Sequence, residues 1–439
     1  MSTDETRVME ACFTCNTPLD LARLPRKGRW SPFVGVDGGG IVVDGRTIVF
    51  AVEAVRGLTL AHRPVGVSRR LVSTGARPGS TTDVTFDHAL PYAPELAAMG
   101  YGVVDEGRRI VTAEAPPGAV LMCAAGGERH DGLCDATLEA MGDEAVLAAK
   151  DAGARGLGPA LAAMAVAGEV SMEVDLDRVP GYDPSRGAAE NLADPSCDRL
   201  LLAVVMGRED DVRETFARHG VPCEVVGETT VGDALTIRLG GRTVAEVPIE
   251  SLMGPVDGGS GHPSSAPSSG VSSVGMGALA EEMLAQLSPP ACEALPHRPV
   301  GHAQLPFTSR DGQARLLANV FVARPIAAGM DARAATRQAV AEAALALTRA
   351  GCEPAAVVYI LTVGAARETD GGALVEGVAD GLTEACTALE LPVVAGDLSL
   401  DGEEARVTLC VGVAALVGEA PRGDGADARR TTKSGGGTA

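Results

Sequence analysis

Ser73-Thr-Gly-Ala-Arg-Pro78 and Gly351-Cys-Glu-Pro354 carry the same punctuation at two distant points of the chain. Glycine takes the left-handed conformation that closes a helix, and proline cannot continue one. Ahead of the first motif lie a β-branched, apolar run at 47–53 and apolar residues at helical spacing from Val65 to Thr74. Ahead of the second lie a strand pattern at 315–322 and a helical pattern at 332–350. Strand patterns at 79–85 and 355–363 follow the two motifs. One Gly-x-x-Pro is a weak signal. With matching flanks on both sides, the pair predicts an internal duplication of a strand, helix, strand unit.

Between the two copies, 119–125 reads as a buried strand, Ala160 to Ala167 as a small-residue helix and 170–176 as a strand. The segment 199–248 alternates a strand (Leu200–Val205), an amphipathic helix (Asp210–His219) and three short strands. The fold class is therefore α/β, with mixed α+β character. Residues 252–291 have the Gly, Ser and Pro composition of a flexible linker, and the chain from about Arg422 reads the same way. Globular parts are expected at 30–250 and 295–420.

The chain has 439 residues and a formal net charge of −21, which gives it no general electrostatic reason to hold nucleic acid or an anionic membrane. Hydrophobic residues make up 46% and aromatics only 3%, so the cores are built from Ala, Val and Leu. Lysine occurs only at 27, 150 and 433, which removes a Walker-type phosphate loop. The uncharged stretches 156–168, 355–366 and 407–418 are shorter than the roughly 18 residues of a membrane span, and the N-terminus lacks the apolar core of a signal peptide. Ten scattered cysteines fit reduced thiols in the cytoplasm. Cys12 and Cys15 form a Cys-x-x-Cys without the second ligand pair of a zinc site, so local packing is the expectation there.

Several stretches resemble one family in its own order over 8–418. The strongest are Glu173-Val-Asp-Leu-Asp-Arg-Val-Pro180, Cys197-Asp-Arg-Leu-Leu-Leu-Ala-Val-Val205 and Ala245-Glu-Val-Pro-Ile-Glu-Ser-Leu252. Lys150-Asp-Ala-Gly-Ala-Arg-Gly-Leu157, Gly126-Gly-Glu-Arg-His-Asp-Gly132 and Leu391-Pro-Val-Val-Ala-Gly-Asp-Leu-Ser-Leu400 add to them. On these residues the chain resembles the small-subunit form of phosphoribosylformylglycinamidine synthase, the ATP-dependent amidine-forming enzyme of purine synthesis, within the aminoimidazole ribonucleotide synthetase (PurM-like) superfamily. The resemblance implies tandem modules: a first N-type half with an N-terminal extension at 1–98, a C-type half at 99–250, a linker at 251–294, a second N-type half at 295–420 and a disordered tail at 421–439. It implies that the two N-type sheets pack together as a pseudo-dimer. The family's last half-module has no counterpart here.

The same resemblance assigns roles residue by residue. Glu53, Asp83 and Asp151 match metal-contacting carboxylates and would hold Mg2+ against ATP phosphates. Asp131, Gly132 and Asp397 match nucleotide-contacting positions. Asn16 stands where the family has its catalytic histidine, and asparagine moves no proton at neutral pH. Around the phosphates the family's glycines are reduced to His62-Arg-Pro-Val-Gly-Val67, and Glu128 and Asp135 add negative charge. Binding of ATP and Mg2+ is accordingly expected to be weak or lost. Two readings stay open: a divergent ATP-dependent C–N bond-forming ligase with a rebuilt site, or a catalytically inactive scaffold that binds a nucleotide-like small molecule or a protein. The apolar runs 339–347, 357–363 and 407–417, without the missing half-module to cover them, predict a homodimer or an obligate partner.

Overall fold

A computed structural model describes residues 24–25, 31–33, 37–56, 65–78, 95–104, 107–126, 130–152, 156–194, 198–252, 273–286, 301–308, 314–327, 329–364, 370–401 and 406–417. The first sheet comprises β1 (Ser31–Phe33), β2 (Gly39–Val43), β3 (Arg46–Arg56), β4 (Ala76–Pro78) and β5 (Glu95–Val104), in the order β1-β2-β3-β5-β4. The second comprises β6 (Val120–Ala125), β7 (Val146–Asp151), β8 (Ser171–Asp175), β9 (Arg199–Val204), β10 (Cys223–Thr230), β11 (Ala234–Leu239) and β12 (Arg242–Pro248), ordered β12-β11-β8-β10-β6-β9-β7. The third comprises β13 (Gly301–Thr308), β14 (Ala314–Ala327), β15 (Cys352–Gly364), β16 (Val393–Asp401) and β17 (Arg406–Val417), ordered β13-β14-β17-β15-β16. Helices α1 (Val65–Ser73), α2 (His130–Ala140), α3 (Leu157–Gly168), α4 (Glu209–Arg218), α5 (Ser273–Gln286), α6 (Ala332–Arg349) and α7 (Asp370–Ala388) pack on these sheets.

The duplication appears as a repeated topology. Strands β2-β3-β5-β4 and β13-β14-β17-β15 follow the same spatial order, and every neighbouring pair in both runs is antiparallel. Helices α1 and α6 close in the same way: Gly75 at φ 80° donates to the Val72 carbonyl, and Gly351 at φ 75° donates to that of Thr348. The strand expected at 355–363 begins earlier, because β15 runs through the motif and its proline; β4 holds the first motif's proline, and 79–85 lies outside the described residues. Proline is tolerated there for a local reason. β4 is an edge strand, while Pro354 lies at a register shift and β16 pairs with β15 only from Val357 onward.

Alternation along β3 decides what each face covers. Ile48, Phe50 and Val52 join a core shared with Phe321, Val358 and Ile360 of the third sheet. Val49 and Ala51 face the other way, against Val67 and Leu71 of α1. On β15, beyond the register shift, Ala356, Val358 and Ile360 meet the first sheet, while Val357, Tyr359 and Leu361 pack under α6 and α7. Both faces are buried, so these strands read as continuous apolar runs. The first and third sheets thus pack face to face. The second sheet is likewise covered on both faces, by α3 on one and by α2 and α4 on the other.

Two expectations change. Within 252–291, residues 273–286 form α5, whose Met276, Ala280 and Met283 enter the same core as α6. Three apolar residues on one face suffice to make a Gly- and Ser-containing segment a covering helix. The apolar runs 339–347, 357–363 and 407–417 predict a homodimer or an obligate partner to cover them. Their described residues are instead largely buried within one chain, and the exposed large apolar side chains among the described residues (Val42, the neighbours Val205 and Met206, and Val231) lie outside these runs. Burial does not call for a second copy. No helix among the described residues is long and apolar enough to cross a membrane.

Candidate functional site

The three sheets meet at a buried cluster of charges. Glu53 lies two residues beyond Ala51 on the α1-facing side of β3, and it is 4% exposed. Asp151 ends β7 of the second sheet at 2% exposure, with Lys150 before it and Asp198 just ahead of β9. Asp397 comes from β16 of the third sheet, and Asp37 precedes β2. Into this ring α1 projects Arg69 and Arg70.

Arg69 donates through Nε to Asp151 Oδ1 at 2.7 Å and through Nη1 to Asp198. Arg70 donates to the Val52 carbonyl and lies 3.7 Å from Asp151 Oδ2 and 3.6 Å from Asp397 Oδ1. Asp37 accepts from the Asp151 backbone N–H at 2.6 Å and from Ser73 Oγ at 2.8 Å, and pairs with Lys150 Nζ. Glycine at 66 makes this possible, because a Cβ there would collide with both Glu53 carboxylate oxygens. Helix α1 can therefore sit directly on the carboxyl.

The electrostatics follow from burial and neighbours. Desolvation pushes the Glu53 carboxyl above the ordinary carboxylate range; Asp151 and Asp397 push the same way, and Arg70 and Arg69 pull back. Burial alone would also raise Asp151, but Arg69, Arg70 and Lys150 outweigh it and hold that carboxyl below its ordinary value. Burial works against the charge on Arg70, while Asp397, Glu53, Asp151 and Asp37 favour it and win. One mismatch remains. Asp151 Oδ2 and Arg70 Nε are buried, face one another, and have no hydrogen-bond partner.

Among the expected metal-contacting residues, Glu53 and Asp151 come together here, and Asp83 lies outside the described residues. As arranged, they do not fit a divalent ion. Guanidinium groups supply the positive charge among the carboxylates, and among the described residues no group of three His, Cys, Asp or Glu stands where it could hold a metal ion. Of the expected nucleotide-contacting residues, Asp397 joins the cluster. Gly132 lies in α2, and for Asp131 only the backbone position in α2 is described. Asn16, Glu128 and His62 lie outside the described residues, and Asp135 is exposed.

Sequence reasoning did not pick out Asp37, Arg69, Arg70, Ser73 or Asp198. A signal was present in α1. Gly66, Arg69, Arg70 and Ser73 recur at helical spacing and form a polar stripe opposite the apolar Val67 and Leu71. A stripe of that kind ordinarily faces water. Here the second sheet covers it, since α1 packs on both β3 and β7.

Comparison with known proteins bears on all three sheets. The chain matches the AIR synthase related protein C-terminal domain over 128–240, within the second sheet and its helices, and the corresponding N-terminal domain over 308–417, within the third. The PurL subunit of phosphoribosylformylglycinamidine synthase from Thermosynechococcus vestitus is 32% identical over 296 residues, and that from Parvibaculum lavamentivorans is 29% identical over 296. Each alignment takes in 62% of this chain and 39% of the relative, so the chain spans about two fifths of the length of the curated relatives it matches. Among solved structures, PurLQS from Thermotoga maritima superposes with a TM-score of 0.67 at 19% identity, covering 95% of this chain and 80% of that one. Thermotoga maritima PurL complexed with ATP superposes at 0.65 and 19%, covering 94% and 80%.

Proposed function

The chain belongs to the AIR synthase related proteins as a relative of PurL, and from that premise we propose that it is a cytoplasmic PurL-like binding subunit without MgATP turnover at its first module. One observation carries the reading: Arg69 and Arg70 neutralise from within the carboxylates that would otherwise hold a metal ion. The loss of a histidine at Asn16 and the charges of Glu128 and Asp135 support it from the sequence. A nucleotide-like small molecule remains a candidate ligand through Asp131, Gly132 and Asp397. A protein partner is the other, since a Thermotoga relative was solved as PurLQS.

The test is isothermal titration of the full chain with MgATP, alongside a phosphate-release assay. The expected result is no binding in the micromolar range and no release above buffer. A low-micromolar dissociation constant abolished by Asp151→Ala would overturn the reading.

A second reading, an ATP-dependent C–N bond-forming ligase with a rebuilt site, draws on Glu53. A buried carboxyl with a raised pKa is the kind of group that carries a proton in catalysis. The two readings part in a purine auxotroph lacking phosphoribosylformylglycinamidine synthase. The first expects no growth from this gene alone, and rescue would establish the second.

A further inference from the structure

We propose that Arg70 is the resident cation of the three-sheet junction: its guanidinium stands where Glu53, Asp151 and Asp397 would otherwise share a divalent ion, and removing it makes the junction bind one. The inference deepens the reading above and rests on the same cluster.

Three observations carry it. First, the carboxylates around Arg70 come one from each sheet, and none of the three sheets supplies the cation, which comes from α1. Second, Arg70 meets Asp151 by charge alone. Arginine chosen for hydrogen bonding to a carboxylate is typically forked, with two parallel N–H donors. Here Asp151 Oδ2 and Arg70 Nε face one another at 3.7 Å and neither has a hydrogen-bond partner. Arg69 differs, since it donates to both Asp151 and Asp198. Third, the other cations of the junction already have partners and leave Asp151 Oδ2 unmet: Lys150 pairs with Asp37, and Arg69 donates to Asp151 Oδ1 and to Asp198. Removing Arg70 would therefore leave a buried Asp151 oxygen facing unfilled space, next to two more carboxyls. A hard divalent cation satisfies such oxygens and completes its shell with water. Water is needed because, among the described residues, no group of three His, Cys, Asp or Glu stands where it could hold an ion directly.

The experiment uses the full-length chain and no nucleotide, so its outcome is separable from the ATP titration. Mn2+ is titrated into the wild type and Arg70→Ala, with free Mn2+ followed by electron paramagnetic resonance. Melting temperatures are read with and without Mg2+. The expected result is uptake by Arg70→Ala at least roughly tenfold tighter than by the wild type, a melting temperature raised by Mg2+ only in the variant, and loss of both effects on adding Asp151→Asn. Should Arg70→Ala not fold, Arg70→Gln keeps part of the side-chain bulk and one NH2 donor group without the charge and is read by the same criteria. Equal Mn2+ uptake by variant and wild type overturns the proposal. So does restoration of the variant's melting temperature by methylguanidinium but not by a divalent ion, which would make Arg70 a packing and hydrogen-bonding residue only.

Discussion

Glu53 shows how a single alternating position sets chemistry. Two residues after Ala51 on the same face of β3, it lands under α1 in a dry environment, and burial raises its pKa. A carboxyl raised in the fold favours the folded state while protonated, and that contribution is lost as pH climbs through the folded value. Glu53→Gln removes the dependence. The variant is expected to match the wild type near pH 4 and to exceed it by about 1 kcal/mol or more at pH 8, with a gap that widens steadily in between. Urea denaturation across that range checks it, and a gap that narrows with rising pH would show that Glu53 is stabilised as the anion. Arg69→Met is expected to act in the opposite sense, costing about 3–5 kcal/mol at neutral pH, because it removes the guanidinium that donates to the buried Asp151 carboxylate. A loss below about 1 kcal/mol in the same urea experiment would place the pair among weak surface bridges.

At the scale of elements, legibility tracked periodicity. The strands with two buried faces and the helices closed by Gly75 and Gly351 could be read from their patterns, since local rules and burial agree there. Helix α5 could not, because Ser and Gly around it mimic a linker and few residues, Met276, Ala280 and Met283 with Leu279 and Leu284 beside them, mark its inner face. The ion cluster was legible only in pieces. Its members at 37, 53, 69, 70, 150, 151, 198 and 397 come from distant segments, and no local rule pairs Arg69 with Asp198. The α5 reading has a sharp test. Ala280 is fully buried in the core shared with α6, so Ala280→Glu should cost about 2–4 kcal/mol and shift the denaturation midpoint down, while a change at exposed Glu282 should stay within about 0.5 kcal/mol. Equal effects at 280 and 282 would mean that α5 does not cover the core.

At the scale of the molecule, the junction and the sheet pair make one unit of segments far apart in sequence. Phe50 and Val52 share a core with Val358 and Ile360, and Asp397 reaches Arg70 across the same boundary. Such a face is apolar and continuous, and contact between first and third sheets does not depend on the chain being unbroken between them. A protease site inserted within 253–272 should therefore cut the chain without separating its halves. After cleavage, both fragments are expected to co-elute from a sizing column as one species, with light scattering giving a mass near the 44.6 kDa of a single chain. The same mass also tests the covered apolar runs, because a wet face would drive self-association and double it. Adding Ile360→Asp should release the fragments, since an unpaired charge in that shared core costs several kcal/mol. Fragments that part without the substitution would show that the sheet pair is held by its connection rather than by its core. A cut species near twice the chain mass would restore the second copy as the cover for the apolar faces.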